Sequence, residues 1–283
     1  MAEDRGVEAG VLQKHYFDED VAWCPGCGNF LILQVLDKAI EAAGVDRRKL
    51  VLVSGIGQAA KLPHYTRANV FNGLHGRAVP AGTGIKLANH ELEVVITSGD
   101  GDMYGEGGNH LLHAIRRNIG LKAFVHNNQV YGLTKGQASP TSDPGFVTPV
   151  QPHGVVNAPL NPLAVAIAQD CSFVARSFAG NQVHLQAMMV AALEHGGGFA
   201  LLDILQPCPT YNKVNTYQWY RQRVRPVDAS HDPFNRTRAL ELAFRWGDEI
   251  PIGIIYRSAR PTFESQMPAL AQGPLAPRYP DAP

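Results

Sequence analysis

Apolar and polar positions along the chain alternate between two periods, and that alternation lays out the fold. Residues 29–44 ("NFLILQVLDKAIEAAG") carry apolar side chains at helical spacing and stop on a glycine, a common end signal for a helix. "LVLVSG" (50–55) and "LEVVITSG" (92–99) are short apolar, β-branched runs that read as buried strands. The second leads into the helical "GGNHLLHAIRRN" (107–118) and then the strand "LKAFVHNN" (121–128). Further on, 161–170 reads as helix, 172–177 as strand, 183–196 as helix and 199–205 as strand. Strands this continuously apolar are covered on both faces, and their alternation with helices implies βαβ units around a parallel sheet. The predicted fold class is therefore α/β: a doubly wound, mainly parallel sheet, five or six strands of which are visible, with helices on both faces.

The rhythm fades over 207–235, which reads as irregular, and returns in a helix over 233–247 opened by Asp232-Pro233. Beyond Arg260 the proline-rich tail cannot pack a core of its own. The expected organisation is an arm over 1–20, a main unit over 21–230, and a C-terminal helix, strand and irregular extension over 231–283.

Composition narrows the function. Lys and Arg number 25 and Asp and Glu 25 in 283 residues, so no basic surplus points to nucleic acid or an anionic membrane. The first twenty residues mix both charges like neither a signal nor a transit peptide, and no apolar run approaches the roughly 20 residues of a membrane span. A cytoplasmic protein is the expectation. Four cysteines are too few for a disulfide scaffold. Cys24 and Cys27 form a C-x-x-C pair just before the first helix, which in a reducing compartment means metal, an iron–sulfur cluster or thiol redox chemistry. Cys208 follows a strand between two prolines, and three thiolates plus a histidine would also serve zinc. Cys171 lies between apolar segments and reads as a packed core thiol.

The densest chemistry is "VVITSGDGDMYGEGGNH" (94–110), where a strand ends in alternating glycine and aspartate. Asp100 follows one strand, Asn128 ends the next, and twenty-five residues (102–126) separate the Gly-Asp-Gly from the Asn-Asn. That interval suits one loop, one helix and one parallel strand, which sets both residues on one sheet edge, where α/β folds place ligands. With the backbone carbonyl of Val130 they offer hard oxygen ligands of the kind magnesium takes alongside a ligand's phosphates. The glycines around Asp100 let backbone approach those phosphates, and the following helix presents its N-terminus to their charge. A P-loop is excluded, because no G-x-x-x-x-G-K-[ST] occurs, and no dinucleotide G-x-G-x-x-G opens the first helix.

This spacing resembles the thiamine diphosphate and magnesium signature. "WCPGCGNF", "VSGIG", "LHGRAVPAGTGIKLAN", "SGDGD", "GGNHLLHAIRRN" and "NNQVYGLTKGQASPTS" occur in the order found in β subunits of 2-oxoacid:ferredoxin oxidoreductases, over roughly residues 20 to 215. "RRN" and "YGLTKGQ" with "SPTS" look most like the 2-oxoglutarate, KorAB-like branch.

The resemblance implies a thiamine-diphosphate-binding sheet carrying the cofactor's diphosphate half, Mg2+ and one [4Fe-4S] cluster. It implies CoA-dependent, reversible oxidative decarboxylation of 2-oxoglutarate to succinyl-CoA, with electrons passed to ferredoxin. Pyruvate as substrate, and a thiamine enzyme without iron, stand as the alternatives. Asp100, Asn128 and Val130 then correspond to the magnesium ligands, and Gly101, Asp102, Gly132 and Leu133 to the diphosphate lining. Ile56, Gly57, Gln58 and Ala59, with His75, correspond to the segment against the cofactor, and Lys61 to a contact with the substrate carboxylate. Cys24, Cys27 and Cys208 correspond to cluster ligands, while Gln58 stands where the family's remaining cysteine is expected. The glutamate that activates the cofactor comes in this family from the α subunit, so the chain is expected to work only with that partner, as a dimer of αβ pairs.

Overall fold

The structure, a computed structural model, describes residues 21–276; the expected arm over 1–20 and the end of the tail (277–283) lie outside it. The first half runs α1 (Gly28–Ala42), β1 (Leu50–Ser54), a 3-10 turn at Ala59–Tyr65, β2 (Asn69–Asn72), α2 (Ala78–Ala88), β3 (Glu93–Gly99), α3 (Gly108–Arg117) and β4 (Leu121–Asn127). A small hairpin of β5 (Val130–Tyr131) and β6 (Gln137–Ala138) follows, then α4 (Pro162–Ala168), β7 (Phe173–Phe178), α5 (Gln182–Leu193) and β8 (Ala200–Leu205). The chain continues through α6 (Tyr217–Arg223), β9 (Val224–Pro226), α7 (Arg236–Phe244) and β10 (Ile250–Arg257).

Eight strands form one sheet in the order β2-β1-β3-β4-β8-β7-β10-β9. It is parallel from β2 to β7; β10 enters antiparallel against β7 and carries β9 alongside. Successive strand residues face opposite ways. Val51, Val53, Val94, Ile96, Ala123 and Val125 pack with α2, α3, α4 and α7. Leu50, Leu52, Val95, Phe124, Ala200 and Leu202 pack with α1 and α5 on the other face. Helices therefore cover both faces, and among the described residues none is long and apolar enough to cross a membrane.

The chain steps across the sheet from β1 to β3 to β4, then passes over to β7 and returns to β8 beside β4. The direction of travel reverses between β4 and β8, and the crevice outside the carboxyl ends of such a reversal is where these folds take ligands.

Every element foreseen from periodicity is present, with its ends shifted by a few residues, and the strand expected after the last helix is β10; β2, α2, α6, β9 and the β5–β6 hairpin carried no usable signal. All four residues of β2 are exposed, so no apolar run marks it. α2 contains Pro80, Gly82 and Gly84 and looks like a loop, yet Gly82 lets it lie against Ile96 and Val94 of β3. Within the supposedly irregular 207–235, the Thr216 side chain accepts from Trp219 N and caps α6, and β9 follows. β10 completes the sheet's far side.

Asn118 ties three remote segments together. It ends α3 in the left-handed region (φ 57°), and its buried side chain donates to the carbonyls of Gly197, Arg260 and Pro261 while accepting from Phe199 N and Ser172 Oγ. Alanine there would lose these bonds and meet the steric cost of that backbone region. Asn118→Ala is expected to lower unfolding stability by about 3 kcal/mol, read from urea midpoints. A change below about 0.5 kcal/mol would contradict the role given to Asn118.

Candidate cofactor site

The strand ends at the reversal carry the polar residues of the molecule's centre. Asp100, directly after β3, is 1% exposed. Ser139 Oγ donates to its Oδ2, and Thr141 Oγ1 lies 2.7 Å from the same oxygen and 2.9 Å from Asn127 Oδ1. Burial pushes the Asp100 carboxyl up to about 6, and the Asp203 carboxylate adds to the rise against the two hydroxyls. Two alcohol donors on one oxygen do not balance a buried negative charge, so this carboxylate suits a cation at its other oxygen. Asn128 follows β4, and its Oδ1 accepts from Val130 N at 3.0 Å, folding the chain so that both residues follow that strand end closely. Asp100, Asn128 and Val130 thus sit at neighbouring strand ends, as the sequence spacing anticipates.

Residues 101–106 wind into a single π-helical turn, closed by Gly107 N donating to Asp102 O at 2.8 Å. Asp102 is then used structurally. Its Oδ1 accepts from Gly76 N (2.7 Å) and Ile56 N (3.2 Å), and its Oδ2 from Ser98 Oγ (2.6 Å). The carboxylate pins two loops, 55–58 and 74–77, over the end of β3. Gly55 permits this, since a Cβ there would stand 2.0 Å from Asp102 Oδ2. His75, on the second loop, is exposed at the rim, its Nδ1 3.0 Å from Glu106 Oε2. Lys61, on the 3-10 turn, donates to the Ala22 carbonyl at 3.1 Å. Gly101 packs under the Tyr131 ring, and Leu133 lies 42% exposed in the turn between β5 and β6. Ala59 opens the 3-10 turn.

The thiols converge across the same edge. Cys24, Cys27 and Cys208 line one cavity with Gln58, Asn128, Gly132 and Gln206. Trp23 Nε1 donates to the Gln58 carbonyl at 2.8 Å, and the Trp23 ring is wedged edge-on against Phe30 and Tyr65, which fixes the segment bearing Cys24. Gly28 lets the chain after β8 come close, because a Cβ there would stand 2.5 Å from Gln206 Cγ. Gln206 Nε2 in turn donates to Cys27 Sγ at 3.4 Å. Burial pushes the Cys27 thiol up to about 12, and the nearby Cys208 and Cys24 thiols add to it. Thiols held together this way become ligands once a metal centre displaces their protons. Among the described residues only His75, Asp102 and Glu106 bring three ligand atoms within 4.8 Å of one another. The three thiols are therefore not all within that distance of one another, although they line one cavity. Cys171, by contrast, is buried in the core with its Sγ on the Phe173 carbonyl.

Sequence reasoning missed the polar network behind Asp100. Tyr104 Oη donates to Asp203 Oδ1 at 2.8 Å, Asn127 Nδ2 donates to it at 3.1 Å, and Arg176 Nε stands 3.7 Å from Asp203 Oδ2. Through Thr141 this network reaches Asp100. The available signal was a lone Arg in the apolar strand "FVARSF" and a lone Asp in "ALLDIL"; a charge inside a buried strand needs a partner.

The chain is similar to proteins already known. Residues 55–204 match the family model of the thiamine pyrophosphate enzyme C-terminal TPP-binding domain, and 208–272 that of the C-terminal region of the pyruvate ferredoxin oxidoreductase β subunit. A 2-oxoacid:ferredoxin oxidoreductase subunit β of Saccharolobus solfataricus is 46% identical over 249 residues, 83% of this chain and 81% of that one. The 2-oxoglutarate oxidoreductase subunit KorB of Mycobacterium tuberculosis is 43% identical over 195 residues, 69% of this chain and 52% of that one. A solved 2-oxoglutarate:ferredoxin oxidoreductase from Magnetococcus marinus, with 2-oxoglutarate, coenzyme A and succinyl-CoA bound, superposes with TM-score 0.87 at 36% identity. That likeness covers 92% of this chain and 88% of the other. The thiamine-diphosphate-type sheet expected from the motifs is the one observed.

A raised carboxyl such as Asp100 binds its proton more tightly folded than unfolded, so its contribution falls as pH rises from the unfolded value of 3.8 through about 6. In magnesium-free buffer the wild type should lose up to about 3 kcal/mol relative to Asp100→Asn across that window, measured by urea unfolding at each pH. Parallel pH profiles for the two proteins would contradict the assignment.

Proposed function

Since the chain belongs to the β subunits of the 2-oxoacid:ferredoxin oxidoreductases, we propose that it serves the CoA-dependent oxidative decarboxylation of 2-oxoglutarate, reversibly, with electrons leaving through an iron–sulfur cluster to ferredoxin. The carrying observation is the pairing, on one sheet edge, of the buried Asp100 and its neighbour Asn128 with the three-thiol cavity of Cys24, Cys27 and Cys208. Asn128 lines that cavity, so the oxygen donors and the thiols are adjacent.

Thiamine diphosphate, when bound, supplies the electron sink that lets a 2-oxoacid lose carbon dioxide. The work of this chain's residues is to hold and orient it. Asp100, the Asn128 amide oxygen and the Val130 carbonyl are assigned to hold Mg2+, which would supply positive charge to the diphosphate. Gly101, Gly132 and Leu133 are assigned to the diphosphate itself, through backbone. Asp102 acts here by holding the Ile56 and Gly76 loops in place, which positions Gly57, Gln58, Ala59 and His75 against the cofactor. Lys61 is given the substrate carboxylate; its present hold on a single backbone carbonyl is easily exchanged for a charged partner. Cys24, Cys27 and Cys208 are assigned to a [4Fe-4S] cluster.

A β subunit implies an α subunit, and we assign to that partner the glutamate that activates the cofactor, with αβ pairs dimerising. The cofactor work is placed on residues 21–230, the 231–283 segment serving as an extension, and the assembly in the cytoplasm. Preference for 2-oxoglutarate is supported by the KorB relative and by the substrate named with the Magnetococcus marinus enzyme.

The test is anaerobic viologen reduction by the co-expressed αβ complex with CoA. The expected kcat/KM for 2-oxoglutarate exceeds that for pyruvate by at least about tenfold, Lys61→Ala raises KM more than it lowers kcat, and the β chain alone is inactive. Equal or better turnover of pyruvate would overturn the substrate assignment.

A further inference from the structure

The cavity that gathers the three thiols contains one more donor. Gln58 lines it beside Cys24, Cys27 and Cys208, and its amide Oε1 is buried without a hydrogen-bond partner. Its backbone is fixed, since the Gln58 carbonyl accepts from Trp23 Nε1 one residue before Cys24. A buried carbonyl oxygen left without a partner is costly to keep, and this one belongs to a residue that lines the same cavity as the three thiols. A cubane cluster has four irons, each needing one ligand from outside the cluster, and three thiolates leave one iron unserved.

We propose that Gln58 Oε1 faces that fourth iron, so that the chain holds a site-differentiated cluster with three thiolate corners and one neutral amide oxygen. This rests on the iron–sulfur reading above. Two consequences follow from the chemistry of the donor. A neutral oxygen leaves the cluster site one negative charge short of a four-thiolate set, which raises its reduction potential. It also binds iron more weakly than thiolate does, so that corner is the one that opens on oxidation. The step balances as [4Fe-4S]2+ giving [3Fe-4S]+, one Fe2+ and one electron, with ferricyanide as the one-electron acceptor.

The experiment uses the αβ complex purified without oxygen, counting iron and sulfide and recording EPR before and after one equivalent of ferricyanide. Wild type should begin with about four irons per β chain, release about one, and gain the EPR signal of an oxidised three-iron cluster; Fe2+ with dithionite should reverse both. Gln58→Cys should keep all its iron under the same oxidation and show a lower reduction potential than wild type. Gln58→Ala keeps the thiols while removing the amide, and should lose that iron about tenfold faster than wild type, a readout that holds if the cysteine variant does not fold. Wild type and Gln58→Ala releasing iron alike, or wild type holding all its iron through oxidation, would overturn the proposal. A complex that binds thiamine diphosphate but contains no iron would overturn the iron–sulfur reading itself, a separate result from an assembled cluster indifferent to Gln58.

Discussion

The arrangement depends on one carboxylate that the fold has taken out of water. Asp100 sits at the end of β3 with two hydroxyls on a single oxygen and a second acid, Asp203, within electrostatic reach. In the protein alone this is an unfavourable place for a negative charge, which is why its carboxyl rises towards about 6. A divalent cation beside it reverses that balance, since the ion's own charge dominates the local field. In the proposed function, the same burial that makes Asp100 costly alone suits it to a small, hard cation. The Asp203–Asn127–Thr141 chain behind it keeps the carboxylate oriented without neutralising it.

Two further constraints bring chemistry to that point. Asp102 spends its oxygens on loop anchoring, so the segments after β1 and before α2 close over the β3 end as one unit. Close approach at Gly28 lets the chain leaving β8 run beside the N-terminus of α1, and that contact sets Cys208 against Cys27. Thiols remote in sequence line one cavity because the chain leaving β8 runs past Asn127 and the start of α1. The thiol cavity and the strand ends at Asp100 and Asn128 are therefore neighbours by topology, with Asn128 lining that cavity.

Much of this was legible in the sequence. The buried parallel strands are apolar runs, the spacing of Asp100 and Asn128 encodes one βαβ step, and the motif order carried the family. What stayed hidden has physical reasons. β2 is an exposed edge strand, and α2 forms through packing on β3 in spite of its proline and glycines. Asp102, expected at the diphosphate, accepts from Ser98 and from two backbone donors remote in sequence, Ile56 and Gly76, and no local pattern shows those two bonds. The Arg176–Asp203–Tyr104 cluster assembles from three elements, although the isolated charges inside apolar strands marked two of its members. Gln58 stood out by its residue type, but only the fold shows its amide oxygen buried without a partner and the residue lining the thiol cavity.

The most direct test of the central claim is a calorimetric titration of thiamine diphosphate into the αβ complex, with Mg2+ and with EDTA, for wild type and Asp100→Ala. Saturable binding that requires the divalent cation, weakened at least about a hundredfold in the variant, is the predicted result. Binding of equal strength with and without the cation, or unchanged in Asp100→Ala, would contradict the account of a buried carboxylate built to hold a metal-bound diphosphate.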